Sequence, residues 1–421
     1  MSVDREHGYW SETETLAPEA RREVQWETLR GLVAHAAASS AEFKARLERA
    51  GARPEDVQSL DDFHALPVLP KKDLMAAQQA SGRGVLGGMV AGGLGSLSRI
   101  YQSPGPIYDP EGKGPDYWGF AEAFYAAGFR PGDLAQNTFS YHLTPAGLML
   151  EEPLRAIGCA VIPAGPGNTE KQIELMTALP VTGFVGMASY LRVIAEKAVA
   201  MGLQPREHFN LRTAFVAAER LPESLRREVE ELFGMRVRQG YGTADVGCIA
   251  YECSHLGGMH LTNRGFVEIV DPQTKRPVPV GETGEVVFTP FVREYPLIRL
   301  ATGDLSYLVA EPCACGRTSM KLGAIVGRVD DTAKVKGQFI YPSQAAQVVA
   351  RFPAISCWRI RVDNPGGKDR LTVCLRAGEG FDAAAFAKAF QDVCKLRPEV
   401  ELLDADLPEG CARLVDERTF E

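Results

Sequence analysis

The chain has 421 residues, 45% of them hydrophobic and 24% charged, with a formal net charge of -8. That length exceeds one compact core and predicts two or three domains, and the acidic balance excludes a broad nucleic-acid-binding surface. The opening Met-Ser-Val-Asp-Arg-Glu-His lacks a basic and then apolar leader, and no apolar run approaches the ~18 residues of a membrane span, so a cytoplasmic protein without a membrane partner is expected.

Residues 18–50 carry apolar residues at helical spacing, with a restart at Ser40-Ala41-Glu42-Phe43 and a stop at Gly51. Leu66-Pro67-Val68-Leu69-Pro70 reads as a proline-bounded connector, after which Lys71-Lys72-Asp73-Leu74 opens another helix. Between Gly84 and Gly105 the chain is glycine-rich, and residues 99–108 read as strand, turn, strand. Ser103 and Gly105 lie in that turn. Its amides could cradle phosphate, although Pro104 and Pro106 remove donors and leave a rigid loop equally open.

Strands then alternate with helices. Helices are expected at 116–127, 145–157, 169–179, 188–201 and 224–233, and strands at 133–140, 160–163, 183–185 and 213–216. This pattern implies parallel strands flanked by helices, with ligands beyond the carboxyl ends of the strands. Residues 139–144, 217–219 and 240–245 then share one rim. Phe139, Tyr141 and His142 fall there, with Phe184 and Tyr190 on neighbouring elements, either as the wall of an aryl-acid pocket or as core. After Gly242 come short strands at 260–263, 266–270, 284–290 and 296–300, suited to a β-barrel or small sheet. From residue 331 onward, strands at 357–362 and 371–375 and a helix at 383–396 suggest a small α+β domain.

Nine cysteines in a reducing compartment read as thiols or metal ligands. Cys159, Cys357, Cys374 and Cys394 stand singly in apolar surroundings and suit small buried hydrophobes. Cys253, His255 or His260, Cys313 and Cys315 instead offer three thiolates and an imidazole, a tetrahedral Zn2+ set whose four protein ligands make it structural. Cys313-Ala314-Cys315-Gly316-Arg317 resembles a zinc-knuckle turn.

Tyr241-Gly242-Thr243-Ala244-Asp245, Gly281-Glu282-Thr283-Gly284-Glu285, Arg299 to Asp304 and Gly327-Arg328-Val329-Asp330-Asp331 follow one another in the order used by adenylate-forming acyl ligases, which the chain resembles over nearly its whole length. Tyr9-Trp10, Leu66-Pro67, and the tail Leu407-Pro408-Glu409-Gly410 with Val415-Asp416-Glu417-Arg418 resemble the phenylacetate-CoA ligase branch. The resemblance implies an α/β protein: a large N-terminal domain of doubly wound sheets plus a small β-barrel over 1–329, and a mobile α+β C-terminal domain over 330–421. It implies ATP, Mg2+ and coenzyme A, and a carboxylic acid, by default aromatic, joined to AMP before transfer to the thiol.

Residue by residue, the resemblance has Asp304 accept from the ribose and Tyr241 stack on adenine, beside Gly242 and Thr243, with Ala218 and Glu219 lining the base. Asp245 takes the place of a Mg2+-binding glutamate, and Arg328 holds the nucleotide. Asp330 is the hinge, and Lys336 and Gly337 lie near the coenzyme A channel. The Gly-Met-His ending favours His260 over His255 as the zinc ligand. A homodimer is compatible with all of this. Two departures stand out. Gln102 to Ile107 retains one hydroxyl and one glycine of a Ser-Ser-Gly-Thr-Thr-Gly phosphate loop, and no lysine follows Lys395, so Arg413 is the remaining candidate for the family's catalytic cation. They keep a rival open: a divergent acyl transferase, or a nucleotide-binding regulatory protein on the same fold.

Overall fold

The structure, a computed structural model, describes residues 3–80, 86, 88–103, 107–329, 333–335, 338–340, 342–365, 369–408 and 410–418. Strand residues alternate between two apolar faces here, which is why the strands read as nearly continuous hydrophobic runs. Val185 and Phe215 pack under helices Ala121–Ala127 and Ala146–Ile157. Their neighbours Phe184, Ala214 and Val216 pack under Thr169–Ala178, Ala188–Ala200 and Glu223–Phe233.

The parallel strands lie in the order Ala160–Pro163, Leu134–Asn137, Gly183–Gly186, Thr213–Val216, Arg236–Thr243. The chain steps outward from 134–137 to 160–163, then crosses back to 183–186 on the other side. A topological switch point therefore falls between the ends of Asn137 and Gly186, where a crevice opens. Beyond Thr243 the same sheet continues antiparallel through Gly247–Tyr251, Met259–Leu261, Lys321–Leu322 and Leu308–Val309.

A second sheet orders Leu69–Pro70, Leu300–Ser306, Gly284–Pro290 and Gly265–Val270. The connector expected at 66–70 thus becomes a parallel strand, Leu69 opposite Leu300 and Pro70 opposite Ala301. Residues 296–300 do not form the strand expected there. Arg299 turns left-handed at φ 54 to bury its guanidinium, and pairing begins only at Leu300. Arg299 lies 2.9 Å from Glu268, both side chains 1% exposed, and donates to the carbonyls of His64, Leu66 and Lys275. The helix expected from 116 starts at Ala121, because Asp116 folds back to accept from the amides of Phe120 and Ala121 at 2.7 and 3.1 Å.

Two compact units result: Met1–Thr302 with Ser306–Ala324, and Gly303–Leu305 with Ile325–Glu421. Residues 303–305 go with the second unit because Asp304 and Leu305 pair with Arg328 and Gly327. The second unit holds a four-stranded sheet of Glu399–Leu402, Arg370–Ala377, Ile355–Asp363 and Leu414–Asp416, with helices Pro342–Val349 and Ala383–Cys394. Trp358, Ile360, Val373, Phe386 and Phe390 form its core. No described helix is long and apolar enough to cross a membrane.

Replacing Glu268 with Ala would leave the Arg299 charge buried and alone, at a cost of about 3–5 kcal/mol. Urea unfolding should show that loss, and a paired Glu268→Leu, Arg299→Met variant should recover most of it.

Candidate active site and metal centre

An apolar cavity of about 350 Å3 opens at the switch point, lined by Thr138, Phe139, Ser140, Gly167, Met187, Ser189, Tyr190 and Val193. Every lining segment follows the carboxyl end of a parallel strand. Of the expected aromatics, Phe139 and Tyr190 line it. Tyr141 does not; its hydroxyl accepts from Asn137 at 2.9 Å, and burial raises its pKa. His142 is exposed and Phe184 belongs to the core. Glu219 is occupied as a helix cap, accepting from the amide and hydroxyl of Ser189 at 2.6 and 2.8 Å at the start of Ala188–Ala200. Ala218 beside it is left-handed at φ 69.

The strand Arg236–Thr243 delivers Tyr241, Gly242 and Thr243 to the same rim, and the tight return to Gly247 buries Asp245 at 3% exposure. Gly242 is obligatory there, since a Cβ would meet the Gly247 carbonyl at 2.4 Å. Tyr241 donates to Thr302 at 3.2 Å. The Lys71 ammonium sits 2.6 Å from Asp245 Oδ2, off the angle of a full hydrogen bond, so the contact is an ion pair.

Lys71 was visible in sequence only as a helix opening. Asp109 was missed altogether. It stands on Ile107–Glu111, which pairs with Arg99–Ser103, and is 0% exposed. Burial first and the Asp245 charge second raise its pKa from an ordinary 3.8 to about 7, against smaller lowering by hydrogen bonding from Ser103 and by the Lys71 charge. A lone aspartate in a strand carries no signal of this until its neighbours are known.

In the second unit, Asp304 Oδ1 lies 3.5 Å from the Arg328 guanidinium across paired strands. Arg413 is engaged locally, donating to the Trp358 carbonyl at 2.7 Å and lying 5.0 Å from the centre of that ring. Gly105, Asp330, Lys336 and Gly337 lie outside the described residues.

Cys253, His260, Cys313 and Cys315 converge, with all four ligand atoms within 4.8 Å of one another. Cys253 and Cys313 are 3.6 Å apart at sulfur, and Cys315 Sγ is 3.3 Å from His260 Nε2. Strand register selects the histidine: His260 sits opposite Tyr251, two residues before Cys253, while His255 turns its Nδ1 to Ser254 at 3.0 Å. Gly316 closes the turn at φ 85, where a Cβ would strike the Tyr9 hydroxyl that donates to the Cys315 carbonyl. The hydrogen bond with Cys253, then His260 and the Arg317 amide, lower the Cys315 pKa. Three sulfurs and an imidazole at this spacing fit a tetrahedral metal ion.

Asp109 binds its proton more tightly folded than unfolded, so its penalty is absent below the ordinary 3.8, grows as pH rises and is complete above about 7. Asp109→Asn should raise the melting temperature by several degrees at pH 8 and by clearly less at pH 5. An equal shift at both pH values would contradict a buried acid.

The family profile "AMP-binding enzyme" matches residues 141–290. A phenylacetate-coenzyme A ligase from Thermus thermophilus is 32% identical over 386 residues, covering 89% of this chain and 85% of that protein. The enzyme of the same name from Pseudomonas putida is 28% identical over the same shares of each chain. Among solved structures, an open form of 2-hydroxyisobutyryl-CoA ligase, in complex with 2-HIB-AMP and CoA, superposes with a TM-score of 0.85 at 23% identity, over 99% of this chain and 97% of that one. The last comparison establishes the shared fold, and the first two place the sequence: the chain belongs to the phenylacetate-coenzyme A ligase family of AMP-binding enzymes.

Proposed function

We propose that this protein is an ATP-dependent, AMP-forming ligase that activates a carboxylic acid as an acyl-adenylate and transfers the acyl group to coenzyme A. The observation that carries this reading is the likeness to phenylacetate-coenzyme A ligases along nearly the whole length of both chains. In the first step the acid's carboxylate attacks the α-phosphorus and pyrophosphate leaves; in the second the thiol attacks the acyl carbon and AMP leaves.

Several residues of the chain support those steps. The 350 Å3 cavity has no charged residue in its lining, so it suits an apolar acyl group of phenylacetate size whose carboxylate stays outside. Tyr241 and Gly242 on the rim offer a ring and open backbone to the adenine, and Asp304 offers a carboxylate to the ribose hydroxyls. Lys71 brings a positive charge to Asp245, where charge develops on the phosphates. Mg2+, when bound, neutralises the phosphate charge, and Asp245 is the carboxylate that would hold it. Cys253, His260, Cys313 and Cys315 would hold Zn2+ in a closed site that fixes the loop 310–320 to the sheet.

A second reading is favoured by one stretch. Gln102 to Ile107 keeps a single phosphate-loop hydroxyl beside two prolines, and no lysine follows Lys395. A divergent member that adenylates poorly, and acts as an acyl transferase or nucleotide-binding regulator, fits those losses.

Pyrophosphate release with ATP and Mg2+ over a panel of aryl and short-chain acids separates the two readings. The ligase reading expects release that depends on one class of acid, and ATP affinity in calorimetry about tenfold weaker for Asp304→Ala, a loss of about 1.4 kcal/mol. Nucleotide binding without release for any acid would favour the second. Cys313→Ser should lose zinc by elemental analysis and melt several degrees lower; full zinc retention would remove Cys313 from the ligand set.

A further inference from the structure

Part of the wall of the apolar cavity is a backbone loop that includes Pro166 and Gly167, and that loop follows a path few residues adopt. Gly165 and Gly167 are left-handed at φ 67 and 76, and Asn168 is left-handed at φ 49. Neither glycine is there for want of room, since a Cβ on either would meet nothing within 4 Å. They are there for their φ, and a left-handed asparagine beside them adds strain that surrounding bonds must offset.

One side chain of the following helix makes those bonds. Gln172 stands at the first turn of Thr169–Ala178, and helical side chains lean toward the helix N-terminus, which carries its amide back over the loop. Its Nε2 donates to the carbonyls of Gly165 and Gly167, both at 2.8 Å. Its Oε1 accepts from Gln136 Nε2 at 2.9 Å, at the end of the strand Leu134–Asn137. That acceptance fixes the orientation of the Gln172 amide, oxygen to the sheet and nitrogen to the loop. Gln136 and Gln172 are 0% and 2% exposed, and neither lines the cavity.

The rest of the wall is tied up in the same way. The Gly167 carbonyl takes a second donor, the Tyr190 hydroxyl at 3.0 Å. The Thr138 hydroxyl donates to the Val185 carbonyl and the Ser189 hydroxyl to Glu219. These hydroxyls donate to the protein, so they leave the acyl group a wall that recognises shape more than polarity.

We infer that Gln172 is a positioning residue that sets the acid selectivity of the ligase, by clamping residues 165–168 as one wall of the acyl cavity. This deepens the ligase reading and rests on it. Without Gln172 the Gly165 carbonyl loses this donor and Gly167 keeps Tyr190. Water can replace the lost bonds on an exposed loop, but it does not hold a left-handed path, so the wall no longer measures the length of the acyl group.

The test compares kcat/KM of pyrophosphate release for the acid of the panel that gives most release and for its homologue one methylene longer, in wild type and Gln172→Leu. The ratio between the two acids should fall about tenfold in the variant, through a raised KM for the better acid, while KM for ATP stays within about twofold. Deuterium exchange of nucleotide-free protein should show the amides of residues 164–170 exchanging about tenfold faster. An unchanged ratio overturns the inference whatever the melting temperature does, because a merely structural amide lowers both acids alike. Gln136→Met removes only the donor that orients Gln172 and should lower the ratio about threefold. If Gln172→Leu does not fold, this second variant decides, and an unchanged ratio in it overturns the inference. Release by wild type with unchanged ratios in the variants is a failure of this inference alone. No release by wild type with any acid is a failure of the ligase reading, and the selectivity role falls with it.

Discussion

The ion pair between Lys71 and Asp245 is the contact on which the rest of the first unit converges. Its two partners reach it by independent routes. Lys71 is placed by the pairing of Leu69 and Pro70 with Leu300 and Ala301, a register locked from beneath by the buried Arg299 and Glu268 pair. Asp245 is placed by the turn from Thr243 back to Gly247, which only glycine at 242 allows. The connector after the helical front end thus brings one ammonium to the rim of the parallel sheet.

That contact also orders the chemistry along the rim. At the switch point the apolar cavity has no charged residue in its lining, and the Lys71 and Asp245 pair comes two strands further on, past Thr213–Val216. Separating the two suits a reaction in which an apolar acid must present only its carboxylate to a phosphate. The Glu219 carboxylate is held by the amide and hydroxyl of Ser189 at the start of the helix beginning at Ala188.

Local patterns were legible in the sequence, and long-range ones were not. The alternation between residues 133 and 233 predicts four of the five parallel strands, with 133–140 three residues too long at its carboxyl end and Arg236–Thr243 missing, since the inner strands are buried on both faces. The Cys313-Ala314-Cys315 turn and the resemblance pointed to Cys253, Cys313, Cys315 and, through the Gly-Met-His ending, His260; what the sequence lacked was the strand register that sets His260 opposite Tyr251 and draws the four together. The strand expected at 296–300 failed because Arg299, polar in the sequence, is among the most deeply buried side chains and breaks the extended path. Asp109 could not be found at all: its character comes from burial and from the Asp245 charge, which no spacing encodes.

The central claim is that the acid is activated as an adenylate. The direct measurement is to supply the acid labelled with oxygen-18 in its carboxylate, together with ATP and coenzyme A, and weigh the nucleotide product. An adenylate route carries one labelled oxygen from the acid into AMP when the thiol displaces it. Unlabelled AMP, or label appearing in inorganic phosphate beside ADP, would contradict the account.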